Sequence, residues 1–276
     1  MNTIAAIQMV SGADVAVNLQ QAARLIGQAA DSGVNLVVLP ENFAHMGMHE
    51  RDKLAVREPH GEGPIQAFLA QQARDNNCWI IAGTIPIHTS DDGHVRAACL
   101  VYDARGENIA RYDKMHLFDV SLDETSEAYS ESDTIEAGDE IVTVQTPVGR
   151  VGIAVCYDLR FPEMFRSMLD KGVDIIALPS AFTATTGRAH WEILLRARAI
   201  ENLCYVVAAN QGGVHGNGRE THGDSMIVDP WGVVLQRIAQ GPGIVSTVTD
   251  PTMLQKLRRN FPALQHRRIF CGREHD

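Results

Sequence analysis

Residues 31–44 read DSGVNLVVLPENFA, and residues 170–183 read DKGVDIIALPSAFT. Asp, Gly, Val, Leu, Pro and Phe recur at matching places in the two stretches. A short, continuous apolar run closed by Pro is the pattern of a strand buried on both faces. Each run follows a helical stretch. Val17–Ala30 carries Leu19, Ala22, Ala23, Ile26, Ala29 and Ala30 on one face, and Pro162–Asp170 has Pro near its first position. Each copy is therefore read as a helix feeding a buried strand, Val34–Leu39 in the first and Val173–Leu178 in the second. A two-sheet fold with internal pseudo-symmetry explains the repeat. Independent use of the same strand-ending chemistry explains it equally well.

Further strands are read at Ile4–Met9, Trp79–Ile85, Val142–Gln145, Val151–Val155, Tyr205–Ala209, Ser225–Val228, Val233–Ile238 and Ile244–Val248. Ala97–Tyr102 and Glu107–Tyr112 form a hairpin around Ala104-Arg105-Gly106. Helices are read at Ile65–Ala73, Ala189–Leu203 and Pro251–Arg259, and Asp113–Glu140 as a long polar connection. Alternating strands and helices make an α/β protein. No Pro/Ser/Gly-rich linker divides the chain, which predicts one domain over residues 1–276.

The balance of 24 Lys+Arg against 34 Asp+Glu gives a net charge of −10. A nucleic-acid binder or a polybasic membrane-surface protein needs the opposite sign. The acidity is local: Met115–Gly149 holds nine acids and no Lys or Arg, and outside it 25 acids face 24 bases. Five scattered cysteines (Cys78, Cys99, Cys156, Cys204, Cys271) make no Cys-x-x-Cys pair and fit a reducing compartment. No signal peptide is legible, and no apolar run approaches the ~18–20 residues of a membrane span. The expected location is the cytoplasm.

Three reactive residues stand just past predicted strand ends: Glu41, Lys114 and Cys156. Strand carboxyl ends are where α/β sites assemble. Singly, Glu41 could cap a helix, Lys114 could be solvated, and Cys156 could be core. Cys156, however, lies on a strand–turn–helix elbow, where a helix N-terminus and a lysine would favour its thiolate. A glutamate would then take the thiol proton and later activate water.

PEN at 40–42, YDKMHLFD at 112–119 and CYDLRFPE at 156–163 resemble the three catalytic segments of the nitrilase superfamily, in that family's order. The resemblance continues through LPSAFTATTGRAHWEILLRARAIEN at 178–202, YVVAANQ at 205–211, GDSMIVDPWG at 223–232 and LRRNFPALQHRR at 257–268. HWEILLRARAIEN, DPWG and FPALQHRR look most like the Nit branch, amidases of deaminated glutathione or of related ω-amides of 2-oxo acids.

The resemblance implies a four-layer α-β-β-α sandwich and a Glu-Lys-Cys amidase that needs no cofactor and no metal. In it Cys156 attacks the amide carbon and forms a thioester. Glu41 passes the thiol proton to departing ammonia and then activates water. Lys114 and the backbone N–H of Tyr157 hold the oxyanion, and Glu131 orients the lysine and the amide. Arg160 matches a carboxylate-binding position or serves as an ion-pair partner, and Phe182 and Thr186 match pocket positions. The partner is a small-molecule amide. A homodimer is also implied, with a C-terminal tail (about 257–276) docking across it. Phe261, Leu264, Ile269 and Phe270 are apolar anchors consistent with such docking.

Other chemistries find less support. His45/His49 and His215/His222 lack a complete ligand set, and H-E-x-x-H is absent. GGVHGNG at 212–218 does not fit a dinucleotide loop, and G-x-S-x-G is missing. An N-carbamoyl amide hydrolase and a non-enzymatic binding protein that keeps the fold are the remaining alternatives.

Overall fold

In the computed structural model, which describes residues 2–122 and 127–269, both repeated segments join a helix to a buried strand. The chain runs β1 (Asn2–Gln8), α1 (Val15–Asp31), β2 (Leu36–Val38), α2 (Pro64–Asp75), β3 (Trp79–Ile81), β4 (Ile85–His88), β5 (Val95–Tyr102) and β6 (Asn108–Asp113). A hairpin of β7 (Asp119–Leu122) and β8 (Glu127–Ser130) follows, then β9 (Thr143–Thr146), β10 (Gly149–Ile153), α3 (Pro162–Asp170) and β11 (Ile175–Ser180). Next come α4 (Ala184–Asn202), β12 (Tyr205–Asn210), β13 (Ser225–Val228), β14 (Val234–Ile238), β15 (Gly243–Thr249) and α5 (Pro251–Asn260).

One sheet has the order β15-β1-β2-β3-β5-β4, with β6 beside β5; the other has the order β14-β13-β12-β11-β10-β9. Period-two alternation sorts the side chains of β1. Ile4 and Ala6 join a core shared with the second sheet, while Ala5 and Ile7 pack with Leu25, Ile26 and Leu69 of α1 and α2. On the far side, Phe165 of α3 and Trp191 and Leu195 of α4 cover the second sheet. The layers are thus α-β-β-α.

The repeat has a structural counterpart. α1 and α3 each end on the Asp of the repeat, and the Gly two residues on is left-handed (Gly33 φ 78°, Gly172 φ 80°). Gly tolerates that conformation without a Cβ clash, so the helix stops and the chain re-enters as a strand. β2 then pairs parallel with β1, and β11 parallel with β10.

Most element ends shift by one or two residues from the sequence reading, and three departures are larger. Trp79–Ile85 is not one strand. It breaks at Gly83 (φ 59°), where a Cβ would collide with the Pro40 carbonyl, because the Glu41 turn crosses there. α4 begins at Ala184, not Ala189; Thr183 caps it by accepting the Thr186 N–H at 3.3 Å. The polar 113–140 stretch contains the β7–β8 hairpin, whose residues lack an apolar face legible as a strand. Among the described residues, no helix is long and apolar enough to cross a membrane. Phe270, Cys271, Asp123 and Glu124 lie outside the described residues.

Candidate active site

Glu41 sits on the turn leaving β2. Its carbonyl accepts the Gln211 side-chain amide at 3.0 Å, and the next residue, Asn42 (φ 57°), donates its N–H to Thr84 Oγ1 at 2.9 Å. Gln211 also bonds Ser11 Oγ at 2.9 Å. The two sheets therefore hold this turn between them.

Lys114 follows β6 and is completely buried. Its N–H donates to Ala97 O at 3.0 Å, and its carbonyl accepts from Gly138 at 2.9 Å. Its Nζ donates to Glu41 Oε1 at 2.8 Å and to Glu131 Oε1 and Oε2 at 2.9 and 2.7 Å. Burial alone would push the ammonium down, but the Glu131 and Glu41 carboxylates outweigh it and hold its pKa well above the ordinary lysine value. Burial likewise opposes ionisation of Glu131, and the Lys114 charge reverses that and keeps its pKa low. Glu131 also accepts the Phe118 N–H at 2.9 Å, which fixes it beside the lysine.

Cys156 follows β10 on a left-handed backbone (φ 48°), a conformation uncommon outside Gly, and is 8% exposed. The thiolate expectation needs correction. Residues Cys156–Arg160 form a short 3-10 helix, and α3 starts only at Pro162. Burial, followed by the Glu41 charge, pushes the thiol pKa well above its ordinary value, against the opposing pull of Lys114.

Glu41, Glu131, Cys156, Tyr157, Arg160, Phe182 and Thr186 all line one pocket, so every proposed site residue is brought together, Lys114 through its two carboxylates. Phe182 is fixed by its N–H to Asn210 Oδ1 at 3.0 Å and by the Trp191 ring at 4.9 Å. Thr186 Oγ1 lies 2.8 Å from Thr183 Oγ1. The Arg160 guanidinium lies over Phe182 and Tyr157, at 5.3 and 5.7 Å from their centroids, and bonds His190 rather than a carboxylate. The ion-pair explanation for Arg160 therefore finds no partner among the described residues.

The sequence reading missed Asp158, although it lies inside CYDLRFPE. Fully buried, Asp158 accepts the Tyr112 hydroxyl at 2.6 Å, the Val155 N–H at 2.7 Å, and the His116 N–H and Nδ1 at 3.1 and 2.7 Å. It ties the segment carrying Lys114 to the elbow carrying Cys156. The signal was available: Tyr112 and His116 flank Lys114 in YDKMH. Arg219, also in the pocket wall, was missed because it sits in a loop with no motif. His215 uses both ring nitrogens structurally, toward Ser11 O and Thr221 Oγ1, each at 2.8 Å.

Comparison with known proteins gives a consistent result. The family model described as carbon-nitrogen hydrolase matches residues 3–259. The chain is 42% identical to the deaminated glutathione amidase of Yersinia enterocolitica, covering 96% of this chain and 93% of that one. It is 38% identical to the deaminated glutathione amidase of Homo sapiens, covering 96% and 82%. Its fold is similar to the C. elegans NitFhit protein (TM-score 0.89, 37% identity), of which it covers 65% while 97% of this chain is matched. It is also similar to Saccharomyces cerevisiae Nit3, a member of branch 10 of the nitrilase superfamily (TM-score 0.86, 28% identity, 97% of each chain).

Proposed function

The chain belongs to the carbon-nitrogen hydrolase family and is an amide hydrolase; on that premise we propose that its substrate is deaminated glutathione and that the reaction runs through a thioester on Cys156. One observation carries the mechanism: Lys114 joins Glu41 and Glu131 in the wall of the pocket that holds Cys156.

Glu41 accepts the thiol proton as sulfur attacks the amide carbon. The C–S bond forms and the carbonyl π pair moves to oxygen. Lys114 and the Tyr157 N–H stabilise that oxyanion, a contribution of about 10²–10³ in rate per donor in comparable sites. Collapse breaks the C–N bond, and Glu41 returns its proton to the leaving nitrogen. Water, deprotonated by Glu41, then attacks the thioester; the C–S bond breaks and sulfur regains a proton. A thiol whose pKa is pushed up suits this cycle, because the base must move a proton in each half. Arg160, Phe182 and Thr186 hold the 2-oxo acid end.

The leaving group follows from the substrate. Deaminated glutathione has no primary amide, so its nitrogen departs as the amine of the cysteinyl unit. The ammonia expected from sequence belongs to the ω-amides. A 2-oxoglutaramate-type amide is the second reading, because it presents the same 2-oxo acid end to the pocket around Cys156. The adjoining groove, of about 1080 Å³, fits the longer substrate. Parallel kcat/KM measurements decide: deaminated glutathione should exceed 2-oxoglutaramate clearly, and the reverse order replaces the first reading with the second.

The whole chain serves as one domain in this proposal, in a reducing cytoplasm where four buried unpaired cysteines are stable. It works as a homodimer. Ile193, Ile200, Trp231, Val233 and Phe261 are large apolar side chains left exposed around α4 and the end of α5, a patch suited to a second subunit.

A further inference from the structure

Arg219 stands where the pocket around Cys156 meets the wide groove beside it, and it lines both. It is held in place. Its N–H donates to Asn217 Oδ1 at 2.9 Å, its carbonyl accepts from His215 at 2.9 Å, and its Nη2 donates to Ala181 O at 2.7 Å. The guanidinium lies over the Tyr129 ring, 5.1 Å from the centroid. Its Nε is buried and has no hydrogen-bond partner among the described residues, and no carboxylate there forms an ion pair with it. A fixed guanidinium with a desolvated, unused donor is costly unless an acceptor arrives. The groove is mixed in charge: Glu50, Asp52, Asp133 and Glu220 line it beside Arg51 and Lys53, and Lys53 is paired with Glu50. Of the cations lining the groove, Arg219 is the one that also lines the pocket around Cys156.

Arg160 lines the pocket alone, whereas Arg219 faces both spaces. Deaminated glutathione carries one carboxylate on each side of the amide that is cleaved. We propose that Arg219 binds the carboxylate on the leaving-group side and makes the enzyme selective for amides whose amine carries that charge. This rests on the amidase reading above and deepens it. A planar guanidinium suits a carboxylate because two parallel N–H bonds can form.

The test compares three substrates: deaminated glutathione, its C-terminal carboxamide and 2-oxoglutaramate. With the unaltered enzyme, the carboxamide should lose about tenfold to a hundredfold in kcat/KM, the size of a lost charged hydrogen bond. Arg219→Ala should lose at least about tenfold more on deaminated glutathione than on 2-oxoglutaramate, mainly through KM, with Arg219→Lys intermediate. Equal turnover of acid and carboxamide by the unaltered enzyme overturns the proposal without any variant. Equal losses on all substrates in Arg219→Ala overturn it too, leaving Arg219 a shape-giving residue. If the unaltered enzyme cleaves 2-oxoglutaramate but not deaminated glutathione, the substrate reading fails and takes this proposal with it.

Discussion

The Lys114 ammonium lies 2.8 Å from Glu41 Oε1, with both side chains buried. Glu131 is the second acidic partner of the lysine, so three ionisable groups share one desolvated site. Removing one partner of such a cluster leaves uncompensated buried charge. Lys114→Met should cost about 3–5 kcal/mol of stability and leave no measurable turnover. Denaturant unfolding with parallel assays checks this; wild-type stability in that variant would show that the cluster is not ionised as described.

Buried thiols give stability an alkaline limit. Burial pushes Cys78 to about 11 and Cys204 to about 12, and raises Cys99 and Cys156 as well. The unfolded chain ionises its thiols near ~8.5 while the folded chain cannot, so stability is full below that pH and falls above it, by up to about 1.4 kcal/mol per pH unit per thiol. The raised Lys114 pKa acts in the same direction above ~10.4. Glu131, held low by Lys114, contributes stability above ~4.3 that is lost as pH falls through its folded value. Guanidinium unfolding at several pH values between 7 and 10 reads the alkaline slope, and a flat profile contradicts it.

Asp158 should matter without touching substrate. Asp158→Asn weakens the acceptor of four hydrogen bonds and should cost about 2–3 kcal/mol. Since it aligns the Lys114 segment with the Cys156 elbow, kcat should fall more than KM rises. Unchanged kcat in a folded variant would make the network purely structural.

The C-terminal segment tests the proposed dimer. Up to residue 269 it packs on its own subunit: Arg258 pairs with Asp174 at 3.0 Å and Arg267 with Asp170 at 2.8 Å, while Phe261 meets Trp231 edge-on at 5.5 Å. Truncation after Asn260 should weaken association in light scattering, and Trp231→Glu should yield a monomer. An unaltered dimer in both contradicts this role for the face and the tail.

The central strands were legible because Val34–Leu39 and Val173–Leu178 are apolar on both faces, and the helix stops because Asp and Gly mark them. Glu41, Lys114 and Cys156 were legible because each ends a strand within a recognisable segment. The β7–β8 hairpin was not, since its strands carry mixed polar residues without alternation. Thr183 as a helix cap was hidden by a β-branched, Gly-containing first turn. The net pull on the Cys156 thiol was not legible, because it depends on burial and on the Glu41 charge, and neither is a property of the local sequence. Arg219 was invisible for the same reason: its role comes from standing between two cavities.

Turnover of deaminated glutathione by the purified protein and by Cys156→Ala tests the central claim most directly. The unaltered protein should split the amide into a 2-oxo acid and an amine, and Cys156→Ala should lose more than about 10⁴-fold in kcat, as expected when a covalent nucleophile is removed. Comparable turnover by a folded Cys156→Ala protein would contradict the thioester mechanism.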